Sequence, residues 1–304
     1  MMDKDRFEIL KLKGDIFRGK LKSIFTIILI IAEIVFVLLF IAKYSGHEIK
    51  FFTPELNKVA VLKIDKEIVS STSDEVYNAL EKVRDDKSVK AILVQISSPG
   101  GSPTASEEIA EYLKDINKTK PVIMYVDDMA ASGAYYIASA IKPLIANKNA
   151  IVGSIGVIMP QYNIGELAKK IGIKENTLTA GKFKQPFSFF KDISDENKKY
   201  IQDNLLKPTY KNFLEDVAKN RGVGVEKLKE FAEGKIFIAN TKEIKGILVD
   251  RISNLFTIKS ELKKRYGKDL VFEVVNEKFD PKGLFGVELK EILEKIEKES
   301  LKLF

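Results

Sequence analysis

The chain has no cysteine and a single histidine, His47, among its 304 residues. The first absence excludes disulfides and thiolate metal sites, and leaves the redox compartment open. The second excludes a polyhistidine metal site and leaves any Ser-His-Asp arrangement only His47 to use. There is no internal repeat and no low-complexity tract. Charge of one sign is not concentrated anywhere: 50 Lys and Arg interleave with 43 Asp and Glu, for a net +7. No basic run with interleaved aromatics suggests nucleic acid, so the surplus lysines read as a solvated surface. The length suffices for one large core or two small ones.

What the chain does have is a long apolar run. Residues 24–42 are apolar apart from Thr26 and Glu33. As a helix rising about 1.5 Å per residue, the run nearly spans a hydrocarbon core of about 30 Å. The flank before it holds Lys11, Lys13, Arg18, Lys20 and Lys22, and the flank after it only Lys43 and Lys50. That bias places residues 1–23 in the cytoplasm and everything after the run outside. Lys43-Tyr44 stands where a cleavage site would need small residues, so the run reads as an uncleaved signal anchor in the cell membrane. Glu33 is expected to face a partner helix or to be protonated.

A polar and aromatic linker, 43–57, leads into the main domain, 58–280. Strand-like stretches at 58–64, 90–96 and 121–126 alternate with helical spacing at 70–85, 106–116 and 134–141. That alternation implies a parallel sheet with right-handed crossovers. Helix is expected at 164–171, strand at 173–179, and one long amphipathic helix at 195–221. Residues 288–303, within a C-terminal segment 281–304, pattern as a charged amphipathic helix.

Ser132 sits at the junction of the third strand and its helix, between Ala131 and Gly133. Such a serine is either a helix cap or a nucleophile exposed on a tight turn. Pro99-Gly100-Gly101 ends the preceding strand, and consecutive glycines can turn their amides together toward a developing anion. Adjacent parallel strands would bring both loops to one edge of the sheet. A serine needs a base. His47 lies in the linker, five residues past the apolar run, so a lysine is the better candidate, provided burial disfavours its charge. Lys182 and Lys184 lie in Thr-Ala-Gly-Lys-Phe-Lys-Gln-Pro-Phe (179–187), between aromatics, and face the same way if extended.

Taken together, these segments resemble the signal peptide peptidase A family, membrane-anchored serine proteases with a Ser/Lys dyad. The matching pieces are Ile-Ser-Ser-Pro-Gly-Gly (96–101), Ser-Glu-Glu-Ile (106–109), Met-Ala-Ala-Ser-Gly-Ala-Tyr-Tyr-Ile (129–137), Gly-Ser-Ile-Gly-Val-Ile (153–158) and Gly-Lys-Phe-Lys (181–184). The resemblance covers about residues 58–255. Phe183, Gln185, Ala134 and Ile238-Ala239-Asn240 depart from the usual pattern.

The resemblance implies an α/β fold, the crotonase-like spiral of ββα units shared with caseinolytic proteases. It implies Ser132 as nucleophile, Lys184 as base, Ser154 as the group that orients the lysine, and the Gly101 and Gly133 amides as oxyanion hole. It implies no cofactor and no metal. Partners would be peptide substrates, chiefly cleaved signal peptides, and further copies in a homo-oligomeric ring, often an octamer in members. Phe183, Phe187 and Tyr135 are expected to keep the lysine dry, and small or apolar residues to be favoured at the cleavage position. Two other readings are a stomatin-cleaving type of membrane protease and a catalytically silent scaffold of the same fold.

Overall fold

The computed structural model describes residues 17–37 and 56–276. The chain divides between Glu55 and Leu56 into two units. The first unit is helical over the described residues 17–37 (α1). No helix among the described residues is long and apolar enough to cross a membrane. The expected span over 24–42 is therefore not supported as such: α1 carries Lys20, Lys22 and Glu33, and residues 38–42 lie outside the described residues. His47, most of the linker and the C-terminal helix expected at 288–303 also lie outside them.

The second unit is built on three parallel strands, β1 (Lys58–Ile64), β2 (Val89–Ser98) and β3 (Val122–Ala131). They are apolar almost throughout because both faces are covered. Ala60, Leu62, Ile92, Val94, Met124 and Val126 face one core, and the alternate residues Val59, Ala91, Leu93 and Tyr125 face the other. The first core is closed by α2 (Ser70–Arg84), α3 (Pro103–Ile116) and α4 (Gly133–Ser139). Short strands β4 (Leu144–Ala146) and β5 (Ile151–Gly153) both pair with β3.

Further along come α5 (Gly165–Lys170), α6 (Asp195–Ile201), α7 (Lys207–Arg221), α8 (Val225–Lys229), β6 (Ile236–Ile238), β7 (Arg251–Ile252), α9 (Leu255–Tyr266) and β8 (Val271–Val274). Through Ile258 and Leu262, α9 closes the second core. The sheet runs β6-β5-β3-β2-β1-β8, and β4 bridges β3 to β7. Among the pairings of the named strands in the described residues, β5–β6 is the antiparallel one.

Two expectations differ from the structure. Residues 173–179 form no strand; they lie open to solvent, with Leu178 99% exposed and no strand partner beside them. The helix expected over 195–221 is interrupted by a π-helical turn, Gln202–Leu206. Pro208 explains the break, because its ring clashes with the carbonyl four residues back and offers no N–H.

Candidate active site

The register between β2 and β3 jumps after Ile96–Val126, so that Ser98 pairs with Ala130. The jump brings the loop after β2 alongside the end of β3. There Ser132 adopts φ 53, ψ −125, a conformation that costs a non-glycine residue strain. Two hydrogen bonds hold it: Ser132 N–H donates to the Gly153 carbonyl at 3.0 Å, and the Ser132 carbonyl accepts from Tyr136 N–H at 3.0 Å. Its side chain makes no capping hydrogen bond. The hydroxyl is thus presented by the turn but not used by the helix.

The loop opposite is fixed from below. Buried Ser98 donates its hydroxyl to the Lys66 carbonyl at 2.7 Å and accepts from Gly100 N–H at 3.1 Å. Ile68 N–H donates to the Gly100 carbonyl at 2.8 Å, and Ser102 N–H to the Ile68 carbonyl at 2.7 Å. Gly100 has φ 102, and a Cβ there would come within 2.7 Å of both Ala131 O and Gly133 N. The chain can pass this close to the Ser132 turn only as glycine. The amide nitrogen of Gly101 lies 3.4 Å from where a Cβ of Gly133 would stand. Among the described residues, neither the Gly101 amide nor the Gly133 amide donates a backbone hydrogen bond outside a helix or strand.

Ser154 follows β5 with φ 54 and donates its amide to Lys235 O at 2.7 Å. It lines, with Gly101 and Ser132, an open groove of about 820 Å³. Lys207, Tyr210 and Glu233 also line this groove. Tyr210 donates to Glu233 Oε1 at 2.7 Å, and its phenol is pushed up to about 12 by burial and by that bond. A second cavity of about 290 Å³ also opens on Ser132 and Gly133. Tyr136 lines it and donates to Asp216 Oδ2 at 2.8 Å. Burial, then that bond, drives the Tyr136 phenol well above its usual range, so it remains a neutral donor.

The structure thus brings Ser132, Ser154, Gly101 and Gly133 together, and does not bring Lys184 to them within one chain. Lys184 is exposed and lines neither cavity; its amide donates to Gly181 O at 3.2 Å. Lys182 pairs with Glu196, and Phe183 lies flat on Tyr200 with centroids 4.2 Å apart. Tyr135 does not screen the site: it is wholly buried and donates to Leu248 O at 3.0 Å. Its neighbour Tyr136 lines the cavity instead, and a fully buried helix such as α4 gives no periodicity to tell the two apart. The lysine that does reach the serine's groove is Lys207, which the sequence reading missed; its Nζ is held by Asp203 Oδ1 at 2.6 Å.

A hydroxyl on a strained turn, with the Gly101 and Gly133 amides beside it uncommitted among the described residues, is equipped for attack on a carbonyl with stabilisation of the resulting oxyanion. Residues 114–269 match peptidase family S49, and residues 45–181 match the Clp protease family. A candidate protease of Methanocaldococcus jannaschii is 33% identical over 291 residues, covering 88% of this chain and 90% of that one. A candidate protease of Synechocystis is 36% identical, covering 66% of this chain and 72% of its own. A candidate signal peptide peptidase of Enterococcus faecium is 34% identical, covering 61% and 54%. The chain belongs to peptidase family S49, the signal peptide peptidase A family, and is a protease.

Proposed function

We propose that the chain is a membrane-anchored serine endopeptidase with a Ser/Lys dyad, degrading cleaved signal peptides and other short apolar peptides at the outer face of the membrane. Ser132 is the nucleophile, Lys184 the base, Ser154 the group orienting the lysine, and the Gly101 and Gly133 amides the oxyanion hole. The observation that carries this reading is the Ser132 turn, held at positive φ with both amides left free beside it. In the reaction the neutral amine takes the Ser132 Oγ proton as the oxygen attacks a peptide carbonyl. The same amine then protonates the leaving nitrogen, and water releases the acyl group.

Lys184 is assigned to the site of a neighbouring copy in a homo-oligomeric ring. A lysine serves as a base only where it is shielded from water. Contact between copies supplies such shielding. Exposed apolar side chains run along the segment that carries the lysine, among them Ile158, Tyr162, Ile171, Leu178 and Phe189. The apolar run 24–42 supports the anchor, and the lysines before it support a cytoplasmic N-terminus.

The test is reaction with a fluorophosphonate, followed by mapping of the modified residue. Modification at Ser132, abolished together with peptide hydrolysis in Ser132→Ala, is expected. Full turnover by Ser132→Ala would end the proposal.

A further inference from the structure

The smaller cavity beside Ser132 has charged side chains of one sign. Asp216 and Glu107 line it, and no lysine or arginine does. Among the described residues neither acid has an ion pair. The rest of the wall includes Val157, Ile158 and Phe213.

Asp216 is tied to the nucleophile by a short chain of bonds. The Ser132 carbonyl accepts from Tyr136 N–H, and the Tyr136 hydroxyl donates to Asp216 Oδ2. The first link is the opening turn of α4 and the second joins α4 to Asp216 on α7, so the carboxylate is tied to the serine through one side chain. The tyrosine is a neutral donor and leaves the charge of Asp216 uncompensated. Oδ1 accepts no hydrogen bond among the described residues.

A half-buried carboxylate at the wall of a binding cavity gains from a cation that hydrogen-bonds to it, and repels another carboxylate. The apolar walls suit the methylene stem of a long basic side chain, which lies along apolar surface while its head seeks charge. We propose that this cavity receives the side chain of the residue whose carbonyl Ser132 attacks, and that Asp216, seconded by Glu107, makes it select lysine or arginine there. The inference rests on the peptidase reading above and differs from the expectation of a small or apolar residue at that position. It also fits the substrate class: a signal peptide carries a positively charged segment directly before its apolar core.

The test uses the full-length protein in detergent with matched fluorogenic peptides that differ only in the residue before the scissile bond: Lys, Arg, Leu, Ala or Glu. The expected kcat/KM for Lys and Arg exceeds that for Leu and Ala by about tenfold or more, with Glu cut least. Asp216→Asn keeps an acceptor for Tyr136 and is expected to lower the Lys-to-Leu ratio by about tenfold, mainly through KM. Glu107→Gln, on the outer face of α3, is expected to lower it by about threefold. A preference for Leu or Ala, or a ratio that neither variant changes, overturns the proposal. Fluorophosphonate modification of Ser132 is read in the same samples. A modified enzyme with the wrong preference sinks the pocket assignment alone, whereas absence of modification sinks the peptidase reading and the pocket with it.

Discussion

Gly133 packs directly against the hydroxyl of Ser106: a Cβ on Gly133 would stand 2.3 Å from Ser106 Oγ. Ser106 cannot easily give way. It is 1% exposed, and its hydroxyl is committed to Ser102 O at 2.8 Å. The Ser102 carbonyl belongs to the loop that carries Gly101. Alanine at 133 would therefore push that loop and its amide away from the Ser132 turn. Gly133→Ala is expected to lower kcat by about 10²–10³-fold, the usual cost of losing one oxyanion donor. Adding Ser106→Gly removes the clashing atoms and should restore much of kcat. Steady-state kinetics on both variants decide it: no recovery in the double variant means that the contact is not what limits the site.

Much of this site could be read from the sequence, because its parts are local. Each of β2 and β3 runs as an apolar stretch into a loop of small residues, and parallel pairing alone puts those loops side by side. The register jump at Ser98 adds only the final alignment. What the sequence hid is long-range. Asp216 lies 80 residues from its partner Tyr136, on the polar face of an ordinary amphipathic helix. Its signal was the spacing Thr209, Asn212, Asp216 along one face of α7, which looks like any solvated stripe. The strand expected at 173–179 failed for a related reason: β propensity makes a strand only where an edge accepts it.

Arg221 and Asp250 form a second long-range pair, and its stability effect has a definite sign with pH. Arg221 Nη1 and Nη2 grip both carboxylate oxygens, at 2.9 and 2.7 Å, while Nε donates to Ile247 O at 2.8 Å. The Leu144 amide adds a bond of 2.7 Å to Asp250 Oδ2, so the end of α7 is clamped to the start of β4. Burial opposes the charge on Asp250, but the Arg221 and Leu144 hydrogen bonds outweigh it and hold its pKa below the usual carboxylate value. A group depressed in the folded state contributes its stability above the unfolded pKa, about 3.9, and loses it as pH falls through the folded value. Urea midpoints should therefore fall between pH 5 and pH 3 in the parent chain. In Asp250→Asn the charge of Arg221 is left buried without its partner. A loss of roughly 3–5 kcal/mol at pH 7 is expected, with a weaker acid dependence. Equal acid dependence in parent and variant would contradict this account.

Three lysines compete for the role of base, and substitution separates them. Lys182 sits in an exposed pair with Glu196, a kind of contact worth under about 1 kcal/mol. Lys182→Ala is expected to change kcat by less than about threefold. Lys184→Ala is expected to lower it by about 10³-fold or more, since removing a dyad member leaves little beyond the oxyanion hole and binding. Lys207 reaches the groove in a single chain but is held by Asp203. Its loss should raise KM more than it lowers kcat. If Lys207→Ala abolished turnover while Lys184→Ala did not, the base would be Lys207 and the site would be complete in one chain.

That last distinction can be made without a structure of the assembly. If Ser132 of one copy works with Lys184 of another, each single variant lacks one half of every site it forms with itself. A mixed ring of Ser132→Ala and Lys184→Ala subunits regains sites at each contact where an intact serine meets an intact lysine. For random mixing at equal amounts, about one contact in four is of this kind. Co-expression of the two inactive variants should therefore restore roughly a quarter of parental activity per subunit. The restored activity should also disappear on dilution to the point where the assembly dissociates. Activity that stays at the level of the single variants, in particles proven by mass to contain both chains, would place the dyad within one subunit.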